Sequence, residues 1–153
     1  IPRGGAQGPI SRYRLRLRKI SDRLYVSGSP GEGDLEKLHD LGITAIVCMS
    51  KKNTPEEVRR EFSIHLYRPV PDGKILPRDK YNRTAEEVVS LIGGGETVLV
   101  HCLQGRNRSM TVAALVLMEV EGVSPEDIVG VIRAIRPSAL HNPTLPVFLE
   151  SRQ

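Results

Sequence analysis

Thr97-Val98-Leu99-Val100-His101-Cys102-Leu103-Gln104-Gly105-Arg106-Asn107-Arg108-Ser109 passes from apolar and β-branched residues through a polar loop into an apolar run over 110–120. That order predicts a buried strand, a tight loop and a helix. A loop that opens a helix turns its backbone N–H groups into one small space, and the positive end of the helix dipole points there too. Such a nest holds an anion, and it favours the thiolate form of a cysteine beneath it.

The residue types fit that chemistry one by one. An ordinary cysteine is only a few per cent thiolate at neutral pH, and lowering its pKa by about three units requires a differential stabilisation of roughly 4 kcal/mol. The loop amides, the helix terminus and Arg108 are the available sources. Arg108 offers a planar fork for two phosphate oxygens, which lysine cannot reproduce. Gly105 permits a conformation or close approach that a Cβ would hinder. Ser109 can donate its hydroxyl to the sulfur and so make it a better leaving group when a phosphocysteine breaks down.

The segment His101-Cys102-Leu103-Gln104-Gly105-Arg106-Asn107-Arg108-Ser109 resembles the His-Cys-five residues-Arg-Ser/Thr signature of the cysteine-based protein tyrosine phosphatases, most closely their compact dual-specificity branch. The resemblance implies a nucleophile at Cys102. Arg108 and the backbone of Leu103, Gln104, Gly105, Arg106 and Asn107 would hold the phosphate, and phosphate, sulfate or vanadate would fit the same place. It implies that His101 supports the loop through hydrogen bonds. It also implies a general-acid aspartate some thirty residues before Cys102. Asp72, in Pro69-Val70-Pro71-Asp72-Gly73-Lys74, stands there on a loop after a strand; Asp79 is the runner-up, with a first-turn dipole role as its alternative. His141-Asn142-Pro143 resembles the Pro-Asn turn beside that loop in the family, with histidine in place of proline, so Asn142 is a supporting candidate. Cys48 has two readings, a core thiol or the partner that traps an oxidised nucleophile as a disulfide in several family members.

The remaining chain bounds the answer. At 153 residues it accommodates one domain with a real core, and we assign 1–10 to a flexible lead-in and 11–153 to a single catalytic domain. The stretch begins without Met and shows no signal-peptide pattern. Two cysteines fit a reducing, cytoplasmic setting better than a disulfide scaffold. Histidines at 39, 65, 101 and 141 lack metal-ligand spacing, so neither metal nor cofactor is expected.

Alternation of Tyr13, Leu15 and Leu17 with arginines predicts an edge strand over 11–18, and a short strand followed by a turn is expected over 20–28. Further strands are predicted at 43–49 and 64–70, and helices at 34–41 and 78–92. A helix start is expected at Thr54-Pro55-Glu56-Glu57, with Thr54 as cap. Two helices close the chain, the one after the cysteine loop and one from the Ser124 cap to Ile135. Strands alternating with helices predict an α/β fold: one three-layer domain whose mostly parallel sheet of four or five strands is flanked by helices.

The reaction class is therefore phosphomonoester hydrolysis through a phosphocysteine, with phosphorylated proteins (Tyr, or Tyr and Ser/Thr) as the leading substrates and a monomer as the working form. Arg106, Lys74 and the arginine-rich start leave a polyanion open: phosphoinositide, phosphatidylglycerophosphate or RNA 5′-triphosphate. The bland alternatives are Arg106 pointing into solvent and, for the arginine-rich strand, a solvated face whose charges discourage aggregation. A catalytically silent phosphate-binding module would keep the fold but lose the cysteine, arginine or acid, and all three are present. A rhodanese-like or arsenate-reducing protein fits Asp72 and the helix order less well. For an RNA-binding domain, four tyrosines and two phenylalanines are few.

Overall fold

The computed structural model describes residues 15–71, 73 and 76–152. Five strands form one sheet in the order β1-β2-β5-β3-β4. They are β1 (Arg18–Ser21), β2 (Leu24–Ser27), β3 (Ala45–Cys48), β4 (Ile64–Tyr67) and β5 (Val98–His101). Only β1 runs antiparallel to its neighbour; β5 lies in the middle, with Val98 opposite both Leu24 and Ala45. All four residues of β5 are buried. A parallel strand covered on both faces reads as an unbroken apolar run, as this one does.

Side chains alternate between two apolar layers. Val26, Val47, Val98 and Val100 pack with α3 (Arg78–Gly93), α4 (Arg108–Glu121), α5 (Ile128–Ile135) and α6 (Thr144–Glu150). Tyr25, Ile46 and Leu99 meet Leu38 of α1 (Leu35–Asp40) and Val58 of α2 (Glu56–Arg59) on the other side. The α/β architecture and the sheet size agree with the sequence reading.

Several local expectations need correcting. The strand foreseen over 20–28 is divided by a turn at Asp22-Arg23, so Ile20 and Leu24 belong to antiparallel partners. Of the edge strand foreseen at 11–18, residues 11–14 lie outside the described residues, 15–17 are not strand, and Arg18 begins β1. Thr54 does not cap α2; Pro55 occupies that position, and the Thr54 hydroxyl is used elsewhere. A third closing helix, α6, follows α5. Pro143 sits at its cap and Pro146 in its first turn, where no intrahelical N–H is needed. Leu145, Phe148 and Leu149 then bury one face of it.

Candidate active site

The cysteine loop hangs between the end of β5 and the start of α4. The Cys102 amide donates to Ser27 O at 3.3 Å, and Leu103 O accepts from the Ser29 amide at 3.2 Å, so the loop lies against the chain leaving β2. Gly105 has φ +66, and a Cβ there would fall 2.6 Å from the Ser27 carbonyl carbon and 2.8 Å from Gly28 N. Both the conformation and the approach require glycine.

Three loop carbonyls are held from outside. Arg136 donates one Nη1 to Gln104 O and Gly105 O, both at 2.6 Å, and the Leu140 amide donates to Arg106 O at 2.8 Å. Within a planar trans peptide the C=O and the following N–H point opposite ways. Drawing these carbonyls outward therefore turns the amides of Gly105, Arg106 and Asn107 toward the inside. The cup so formed has a volume near 180 Å³ and is lined by Cys102, Leu103, Gln104, Arg106, Asn107 and Arg108. Burial, followed by the charges of Arg16, Arg18 and Arg106, lowers the pKa of Arg136, while Cys102 opposes the shift.

Cys102 is 2 % exposed, with Sγ 3.1 Å from the buried Ser109 Oγ. Arg108 reaches across to the segments that follow β4 and β3: its Nη1 donates to Val70 O at 3.1 Å and more weakly to Met49 O at 3.5 Å, and its buried Nε has no partner. The cysteine loop is thus tied to the segment carrying Asp72. Asp72 itself, with Lys74, lies outside the described residues. Asp79 occupies the first turn of α3.

His101 is fully buried, and Nε2 lies 2.7 Å from Thr54 Oγ1. Burial pushes its pKa down to about 4, with the Cys102 backbone opposing, so the ring is neutral at pH 7. Cys48 is opposite His101 in the β3–β5 register, its Sγ 3.5 Å from Lys52 O, and burial pushes its thiol pKa up. Both cysteines are free.

Asn142 joins two loops. Its amide N–H donates to Asn107 Oδ1 at 3.2 Å and its Nδ2 donates to Gly73 O at 2.9 Å, while Oδ1 accepts from Thr144 N and Oγ1. A second, mostly apolar cavity near 420 Å³ adjoins the cup, sharing Arg108 and lined by Lys51, Tyr67, Pro69, Val70 and Pro71. Another cavity, near 550 Å³, lies over α3 and Arg68 and contains no nucleophilic thiol.

The structure therefore brings together residues 101–109 and Asn142. Sequence reasoning missed Thr54 and Arg136. Thr54 was given to a helix cap, and Arg136 carried no local signal because its contact spans 31 residues and more. Among the described residues no cluster of metal-ligating side chains and no helix long and apolar enough to cross a membrane occurs.

Comparison with known proteins agrees with this geometry. The model of the dual specificity phosphatase catalytic domain matches residues 24–150. Human dual specificity protein phosphatase 15 is 30 % identical over 122 residues, covering 78 % of this chain and 40 % of that protein. The Arabidopsis thaliana phosphatidylglycerophosphate phosphatase PTPMT1 is 24 % identical over 127 residues, 80 % of this chain and 38 % of its own length. The chain thus spans about two fifths of the length of these relatives. Among solved structures, Tk-PTP in its active form superimposes with a TM-score of 0.79 at 23 % identity, covering 90 % of this chain and 98 % of that one, a likeness of fold. The loop, the sheet that carries it and the matched residues together place this chain in the dual specificity phosphatase catalytic-domain family.

Proposed function

We propose that the chain hydrolyses phosphomonoesters through a phosphocysteine at Cys102. One observation carries the reading: the Cys102 sulfur lies at a cup of inward-turned amides, with the Ser109 hydroxyl 3.1 Å away and Arg108 in the wall. The thiolate attacks phosphorus and the P–O bond to the leaving group breaks. Loop amides and the Arg108 guanidinium hold the equatorial oxygens as charge moves onto them. Asp72 gives its proton to the departing oxygen. In the second step water passes a proton to the Asp72 carboxylate and attacks phosphorus, the P–S bond breaks, and Ser109 donates to the returning thiolate. His101, neutral and held by Thr54, supports the loop and exchanges no proton. The position of Gly73, bonded to Asn142 beside the cup, supports the assignment of the neighbouring Asp72.

The substrate class best supported by the relatives' names is a phosphorylated protein, with the apolar cavity beside Arg108 receiving the organic part of the ester. A second reading, the same chemistry on a polyanion, is favoured by Arg106, which lines the cup beside Arg108. For Cys48 the burial, the raised thiol pKa and the pairing with His101 favour a core role over a redox one.

Hydrolysis of p-nitrophenyl phosphate in EDTA tests the assignment. Cys102→Ser is expected to abolish turnover while retaining phosphate binding, and Asp72→Asn to lower kcat by ~10²–10⁴. Normal turnover by Cys102→Ser would remove the nucleophile.

A further inference from the structure

Two arginines line the cup, and three more stand behind its loop or on the chain leading to β1. Arg108 and Arg106 line it, Arg136 fastens its rim from below, and Arg16 and Arg18 come from the chain entering β1. Leu15 is pinned beside the loop, because its carbonyl accepts from the Gly28 amide at 2.6 Å and Gly28 backs onto Gly105. The next residue, Arg16, adopts φ +51, a left-handed conformation unfavourable for an arginine. It is exposed, and its charge, with those of Arg18 and Arg106, is felt at Arg136.

Among the described residues Arg16, Arg18, Arg106 and Arg136 form no ion pair with a carboxylate. Arg106 also has a buried Nε without a partner. A thiolate and a phosphate monoester dianion supply about three negative charges, against five arginine cations. The surplus is about the charge of one more phosphate. The flank holding it presents cations, Gln104 and a single half-exposed leucine, Leu103. The half-exposed Tyr67 lines the separate cavity by Pro69. Such a flank offers charge to a compact polyanion and little apolar surface to a peptide.

We propose that Arg16, Arg18 and Arg106 form a second anion subsite beside the cup, which takes a second phosphate on the same small polyol or lipid headgroup as the scissile one. The proposal rests on the phosphatase reading above and takes its second form, the polyanion, in place of the phosphorylated protein.

The test compares the full chain with Arg16→Ala/Arg18→Ala on p-nitrophenyl phosphate, inositol 1-phosphate, inositol 4,5-bisphosphate, a doubly phosphorylated peptide, and phosphatidylcholine vesicles containing phosphatidylinositol 4,5-bisphosphate. Wild type is expected to show kcat/KM at least ~10-fold higher for the bisphosphate than for the monophosphate, a gain that shrinks with added salt. The double variant should lose that gain and keep p-nitrophenyl phosphate turnover within about two-fold. A gain on soluble bisphosphate assigns a free headgroup; a gain confined to vesicles assigns a membrane-borne one. Equal losses on all substrates, or no preference for the bisphosphate, would overturn the subsite. An arginine-dependent gain confined to the peptide would overturn it in favour of protein. If wild type turns over nothing, the phosphatase reading fails. The subsite is then read from calorimetric binding of inositol 4,5-bisphosphate against inorganic phosphate, with and without the two arginines.

Discussion

Ser109 and Gly105 show how much a single side chain, or its absence, decides. Ser109 lies beside the sulfur and is fully buried, so its hydroxyl has no water to turn to. Ser109→Ala removes a donor that matters most when the thiolate departs. The expected result is a fall in kcat of about ten- to a hundred-fold with an initial burst of p-nitrophenol, read by rapid quench, because the phosphoenzyme accumulates. Gly105→Ala meets two obstacles, a positive φ and backbone atoms of Ser27 and Gly28 inside 3 Å. A backbone neighbour cannot swing aside as a flexible side chain does. We expect a loss of about 2–4 kcal/mol in urea unfolding, or a displaced loop with activity lost at unchanged stability.

Between elements, the ends of α5 and α6 shape a loop they do not belong to. Arg136 is 4 % exposed at the C-terminal end of α5, and its two short bonds to Gln104 and Gly105 carbonyls set the direction of the amides that follow. Arg136→Met keeps most of the volume and removes both donors. kcat/KM should fall at least ~100-fold while far-UV circular dichroism is unchanged, because the loop loses its orientation and α5 keeps its apolar face. Strands β3 and β5 were legible as continuous apolar runs, and α3 as a stripe through Tyr81, Ala85 and Val88. What escaped the sequence was whatever long-range packing decided. The prolines of α6 concealed a buried leucine–phenylalanine face. Thr54 carried the pattern of a cap, but the buried His101 ring took its hydroxyl. The cup was readable because its residues are consecutive; the groups that hold it open come from residues 136 and 140, on a separate segment.

For the whole molecule, the buried His101 links stability to pH. Its pKa of about 4 in the folded chain lies below the ordinary 6.5, so the unfolded chain binds the extra proton between those values. The stabilisation from keeping the ring neutral is complete above about pH 6.5 and is lost as pH falls toward 4, by up to about 3 kcal/mol. Urea unfolding of wild type should show this acid slope, and His101→Gln should flatten it while starting from a lower stability at pH 7. Peroxide treatment followed by mass spectrometry should leave Cys48 as a thiol, since it is wholly enclosed. The central strand β5 has a wider consequence. Both of its edges are paired and both of its faces are covered, and Cys102, the proposed nucleophile, follows directly from its last residue. Segments protected on every side are the last whose amides exchange with solvent. Catalytic death in denaturant should then follow the same curve as global melting, which makes turnover a gauge of whether the entire chain is still assembled.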